Sequence, residues 1–144
     1  MAIYDESLAR ALIARHAGRE GPLLPILHDL QAEFGWIPED AVRLIAHMLN
    51  LSRAEVHGVV SFYHDFRDRP EPRPILKLCR AEACQARGAD ALAAHAEAVA
   101  GDRIAIEMVY CLGLCSVGPN ALTGHDHLHA RLDTAAIDTL VAAL

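Results

Sequence analysis

The chain has 144 residues, 53% of them hydrophobic, and a formal net charge of −6. That suffices for one ordinary domain or two small ones with real cores. The acidic balance and the lack of a long basic run exclude nucleic acid and anionic membranes as expected partners. No apolar stretch approaches the ~20 residues of a membrane span. The acidic opening Met1-Ala2-Ile3-Tyr4-Asp5-Glu6 lacks the basic-then-apolar order of a secretory signal, so the expected location is cytoplasmic.

Residues 1–66 read as helices. Leu8, Leu12 and Ile13 share one face of the first. Pro22 opens a second, with Leu23, Leu24, Leu27, Leu30 and Phe34 on its apolar side. Pro25 is tolerated because it still lies in the first turn, and Gly35 suits a left-handed stop. Pro38 starts a third, with Val42, Ile45, Met48 and Leu49 facing inward and Asn50 as its stop. Ser52-Arg53-Ala54-Glu55 is a capping box announcing a fourth, through Val56 and Val59 to about Phe62. Short loops between such helices favour a small antiparallel bundle, with Trp36 packed into it. His57 and His64, which flank Phe62-Tyr63, read as helix-surface or core-edge groups, with a proton-coupled role near a partner as the sharper alternative.

Residues 67–74, Arg-Asp-Arg-Pro-Glu-Pro-Arg-Pro, cannot continue a helix. Three prolines among alternating charges make a semi-rigid linker and mark a domain boundary. Beyond it the period changes. A short strand over residues 75–78 ends at Cys79. Residues 86–100 form an alanine-rich helix stopped by Gly101. Residues 104–110 form the clearest strand, ending at Cys111. Residues 121–123 and 128–132 pair as a hairpin across Gly124-His125-Asp126. Asp133 caps a last helix with Ile137, Leu140, Val141 and Leu144 on its apolar face. The fold class is therefore α+β, a helical bundle over 1–66 followed by an α/β domain over 75–144.

The four cysteines form two pairs, Cys79-x4-Cys84 and Cys111-x3-Cys115, separated by 26 residues. A chain that is not exported keeps its thiols reduced, so metal binding or redox chemistry is expected rather than disulfides. A strand–helix–strand unit makes parallel strands with a right-handed crossover, which puts Cys79 and Cys111 at one sheet edge. Cys84 and Cys115 follow in the loops leaving that edge, where open α/β sheets place ligands. Thiolate-only donors suit zinc, copper(I) or an iron–sulfur cluster. Zinc is usually closed by C-x2-C knuckles, and neither pair has that spacing. The wider intervals favour two irons, each taking two thiolates. A thioredoxin-like dithiol needs C-x-x-C, which is absent. A zinc-stabilised interaction module and four cofactor-free cysteines remain the alternatives. Gly113, Gly118 and Pro119 keep the loop around Cys115 small, which lets backbone N–H groups approach sulfur. Arg80 and Arg87 could soften the negative charge of such a centre, or lie in solvent. His125, His127 and His129 could share one strand face and bind zinc or nickel, although an exposed hairpin is the plainer reading. No G-x-G-x-x-G or P-loop run offers a nucleotide site.

The paired motifs, with Leu24-Pro25-Ile26-Leu27, Phe34-Gly35-Trp36-Ile37-Pro38 and residues 51–63 upstream, resemble the small [2Fe–2S] subunit family of NADH dehydrogenase (complex I). That family extends to subunits of NAD-linked hydrogenases and of NAD-dependent molybdenum formate dehydrogenases. The resemblance implies a thioredoxin-like ferredoxin half and one [2Fe–2S] cluster on Cys79, Cys84, Cys111 and Cys115. It implies a flavin (FMN)-carrying, NADH-binding partner subunit, with which the cluster exchanges single electrons. It implies no catalytic residue and no turnover by the chain alone. The first loop, Cys79-Arg80-Ala81-Glu82-Ala83-Cys84-Gln85, differs from the Thr-Thr-Pro-Cys-like loop of complex I members. It is more similar to the gamma subunit of soluble formate dehydrogenases, as is the short chain. That branch adds a larger molybdenum and iron–sulfur catalytic subunit as partner.

Overall fold

The structure, a computed structural model, describes residues 3–144. It divides into two compact units, Met1–Pro72 and Arg73–Leu144.

The first unit holds four helices. Asp5 caps α1 (Glu6–His16), its Oδ1 accepting from the N–H of Ser7 at 2.7 Å and of Leu8 at 3.1 Å. Pro22 precedes α2 (Leu23–Phe34), which Gly35 ends in the left-handed region at φ 82°. Pro38 precedes α3 (Glu39–Leu49), with Glu39 and Asp40 in the first turn, where the helix dipole favours acids. Asn50 stops it at φ 53°. α4 (Arg53–Phe62) starts on the capping box, with both reciprocal Ser52–Glu55 bonds formed. Ile13, Ile26, Leu27, Leu30, Phe34, Ile45 and Val56 are fully buried and make the centre of this core. The buried side of α2 is Ile26, Leu27, Leu30 and Phe34, whereas Leu24 is turned outward. Met48, Leu49 and Trp36 are half-buried against the same core. Phe66 is buried there too, and Arg67 is tied down: its N–H donates to Gln31 Oε1 and its carbonyl accepts from Ile37 N–H.

The second unit is a four-stranded sheet in the order β2-β1-β3-β4. β1 (Ile75–Cys79) and β2 (Ala105–Val109) are parallel, with Cys79 opposite Val109. β3 (Ala121–Thr123) runs antiparallel to β1, and β4 (His127–His129) antiparallel to β3. The crossover contains a short α5 (Glu82–Gln85) and then α6 (Ala89–Ala100). The expected single helix over 86–100 therefore starts later, because Gly88 at φ 88° breaks the chain between the two. α7 (Thr134–Ala143) is capped by Asp133, whose carboxylate accepts from Ala136 N–H at 2.8 Å. Leu76 and Leu78 meet Leu92, Ala93, Ala96, Ile137 and Val141 in a second core. Alanines on α6 let that helix lie close to the sheet. The last strand is shorter than the expected 128–132. Arg131 N–H goes to Val117 O at 2.7 Å and Leu132 N–H to Pro119 O at 3.1 Å, which removes both from the ladder. Among the described residues, no helix is long and apolar enough to cross a membrane.

Candidate metal centre

The parallel register sets the site. Cys79 is the last residue of β1, and Cys111 stands two residues beyond the end of β2. Both therefore leave the same sheet edge, as the crossover rule requires. Cys79 N–H donates to Asn120 O at 3.0 Å, and Arg80 N–H to Val109 O at 2.8 Å, so the edge is closed by backbone bonds. Cys84 sits on α5, and Cys115 opens a 3₁₀ turn, Cys115–Val117. Cys79 and Cys84 are buried with Ala89, and half-buried Ala81, Val109 and Leu112 pack against them. Cys111 and Cys115 are exposed. All four thiols are free.

Each pair is close. The Sγ atoms of Cys111 and Cys115 are 3.4 Å apart, and the Cys79 and Cys84 thiols hydrogen-bond each other. Two thiolates on one tetrahedral metal, with bonds of about 2.3 Å, stand about 3.8 Å apart. The Cys111–Cys115 pair therefore has about the spacing for one metal ion, and the Cys79–Cys84 pair is in thiol–thiol contact. Cys111 holds a positive φ of 87°, a conformation uncommon for a non-glycine residue.

Backbone donors converge on the sulfurs. Gly113 N–H points to Cys111 Sγ at 3.4 Å from a backbone at φ 80°. Burial pushes the Cys79 thiol up, but the N–H groups of Ala81, Cys111 and Leu112 and the Cys84 thiol outweigh it, and its pKa is lowered. Cys84 is raised by burial and by Cys79, against a backbone N–H from Asn120. Cys115 is raised by its hydrogen bond to Cys111 and by that thiol's charge. One pair thus offers a ready thiolate with neighbours that share its charge. Four such thiols repel one another when ionised, and a multiply charged cationic group between the pairs relieves that repulsion.

The packing around Cys84 is tight. A Cβ added to Gly118 would lie 2.9 Å from Cys84 Sγ, so only glycine fits there. Arg87 donates through Nη1 to Cys115 O, which ties the α5 side to the second cysteine loop. Arg80 instead pairs with Asp90 at 2.7 Å, so its charge is already matched. Asn120, buried, donates its side-chain amide to Leu114 O at 2.8 Å and to Cys84 Sγ at 3.6 Å. Sequence reasoning passed over Asn120. Its only signal was a polar residue directly after Gly118-Pro119.

The three histidines do not gather. His125 lies in the turn, His127 is 3.6 Å from Asp126, and His129 Nε2 meets Thr123 Oγ1 at 2.9 Å. Among the described residues, no three His, Cys, Asp or Glu side chains surround a point at single-ion spacing. Exposed His57 and His64 line a cavity of about 410 Å³ with Ile37, Val60 and Phe66, well apart in sequence from the cysteines.

An NADH-quinone oxidoreductase subunit of Rhizobium meliloti (strain 1021) is 31% identical over 140 residues, covering 91% of this chain and 83% of that protein. NADP-reducing hydrogenase subunit HndA of Solidesulfovibrio fructosivorans is 31% identical over 116 residues, covering 74% of this chain and 67% of that protein. A crystal structure of an NAD⁺-reducing [NiFe]-hydrogenase in the H₂-reduced state superposes with a TM-score of 0.70 at 26% identity, over 83% of this chain and 21% of that one. This chain thus spans about a fifth of that hydrogenase chain's length. The thioredoxin-like [2Fe–2S] ferredoxin family matches residues 9–144. The chain belongs to that family, and its cofactor is one [2Fe–2S] cluster.

Proposed function

We propose that the chain is the electron-transfer subunit of a multi-subunit NAD-linked oxidoreductase, with its cluster held by Cys79, Cys84, Cys111 and Cys115. The observation that carries this reading is the pair of thiol pairs at one sheet edge, each in thiol–thiol contact and met by backbone N–H donors. A [2Fe–2S] group supplies reversible one-electron chemistry beside the two-electron NAD(H) and flavin couples.

The residues divide the work. Cys79 and Cys84 anchor the group in an apolar pocket. Cys111 and Cys115 face outward, so electrons pass at their edge, where exposed Tyr110 and Met108 offer a partner an apolar landing. No nucleotide-binding motif stands at the site, and in this reading the chain is a non-catalytic subunit. In this reading residues 75–144 carry the cluster, while residues 1–66 and the linker 67–74 serve docking. The partner is a flavin (FMN) and NADH-binding subunit, since the relatives are named as parts of NADH-, NAD- or NADP-linked enzymes.

The finer reading is a cytoplasmic NAD-dependent formate dehydrogenase, with a larger molybdenum and iron–sulfur subunit as second partner. Its support is the loop Cys79-Arg80-Ala81-Glu82-Ala83-Cys84-Gln85. Complex I and NAD-linked hydrogenases are the alternatives, favoured by the named relatives.

Anaerobic purification followed by analysis should give about two iron and two acid-labile sulfide per chain and a paramagnetic reduced form. A colourless protein with one zinc, or with no labile sulfide, would overturn the proposal. Alanine at any of the four cysteines should abolish the signal. The native complex should contain molybdenum; nickel instead would place the chain in a hydrogenase, and a membrane arm would place it in complex I.

A further inference from the structure

Asn120 is one of the few polar side chains in the core, at 2% exposure. Its orientation is fixed by chemistry. Leu114 O lies 2.8 Å from one amide atom, and a carbonyl only accepts, so that atom is the NH₂ nitrogen. The same nitrogen lies 3.6 Å from Cys84 Sγ. The other amide atom, Oδ1, is buried with no hydrogen-bond partner. A buried acceptor without a donor lowers stability. An apolar residue of the same size would avoid that defect, so packing alone gives no reason for asparagine here. The backbone of the same residue accepts Cys79 N–H, and its own N–H acts on Cys84. One residue therefore touches both loops and both buried cysteines.

We infer that the Asn120 side chain is a positioning residue for the cluster, holding the Cys115 loop against Cys84 and raising the reduction potential through its N–H···S bond. The inference rests on the cysteine ligand set proposed above. Reduction adds one electron, and hence one negative charge, with no atom gained or lost. A donor aimed at a ligand sulfur stabilises the more negative form more, so it favours reduction. Leu114 O holds the amide in place, so the donor is aimed before the charge arrives.

The test uses the whole chain, purified anaerobically with its cluster. In Asn120→Leu, which keeps the branched shape of the side chain and removes the donor, the oxidised-to-reduced ratio at fixed poise should rise about tenfold, about 59 mV for one electron. Asn120→Ala should shift the same way. A second measurement needs no variant. The chain has two asparagines, Asn50 and Asn120, and Asn50 stops α3 in the other unit. Protein labelled with ¹⁵N at the asparagine side-chain amide should show a ¹⁵N coupling to the reduced, paramagnetic centre. A loaded wild type with no such coupling, or an Asn120→Leu protein at the wild-type potential, overturns this inference and leaves the ligand set standing. A wild type that holds no cluster overturns both.

Discussion

Gly118 sits in ordinary backbone, at φ −68° and ψ 166°, so its missing side chain concerns space rather than conformation. The nearest atom to an added Cβ is Cys84 Sγ at 2.9 Å, and Cys84 is itself buried. Gly118→Ala should therefore push the sulfur off its position and cut iron loading by about tenfold or more, the scale on which a metal site's supporting residues act. Iron per chain measures this, and an unchanged far-UV circular dichroism spectrum separates it from unfolding. Gly113 fails for a different reason. It has open space but a φ of 80°, so Gly113→Ala strains the backbone whose N–H points at Cys111 Sγ. That substitution should cost about 1 kcal/mol of folding stability in the loaded protein. Both glycines were visible in the sequence as small residues near Cys115, but whether each was needed for space or for φ was not. That distinction depends on what the fold places beside them.

Helix α4 shows how far local chemistry carries. Ser52 Oγ accepts from Glu55 N–H at 3.1 Å, and the Glu55 carboxylate accepts from Ser52 N–H at 2.8 Å. Ser52→Ala should cost about 1 kcal/mol. The backbone and hydroxyl donors of Ser52 hold the Glu55 carboxyl below its usual range. A lowered carboxyl pKa stabilises the fold fully above the unfolded value of 4.5, and that contribution is lost as pH falls through the folded value. The difference in thermal stability between wild type and Glu55→Gln should thus be present at neutral pH and vanish on acidification. A difference that persists well below the ordinary carboxylate range would contradict the assignment. Gly58, inside the same helix with nothing within 4 Å of an added Cβ, should gain about 0.5–1 kcal/mol on change to alanine. Boundaries of this kind are legible because they are written in neighbouring residues: Pro22, Gly35, Pro38, Asn50, Ser52. The break at Gly88 was not, since an alanine-rich run reads as one helix whether or not a glycine in it turns left-handed. Nor was the short β4, because Arg131 and Leu132 lose their ladder bonds to Val117 and Pro119, partners more than ten residues away.

At the scale of the whole molecule, the two cores share no member. One is built on Ile13, Leu27, Phe34 and Ile45, the other on Leu76, Leu78, Ala96 and Ile137. All four cysteines, Gly118, Arg87 and Asn120 belong to Arg73–Leu144. The placement of the cysteines was readable in advance because it follows from topology: two strands joined by a helix run parallel and end together. Asn120 was not readable, because its burial depends on β1 and β3 meeting across more than forty residues, with Leu78 opposite Ala121. The segregation of the site has a consequence. A unit of about 70 residues lies near the size at which a hydrophobic core alone is marginal, and a bound metal group adds folding free energy wherever it binds the folded state only. Residues 73–144 expressed alone should therefore bind iron and sulfide and show the reduced paramagnetic signal of the full chain, yet melt far earlier once iron is removed by a chelator. Residues 1–72 should bind no iron and be indifferent to the chelator. Thermal melts of the two fragments, with and without chelator, check this. A cluster that forms only when both segments are present would mean that the helical half takes part in building the site.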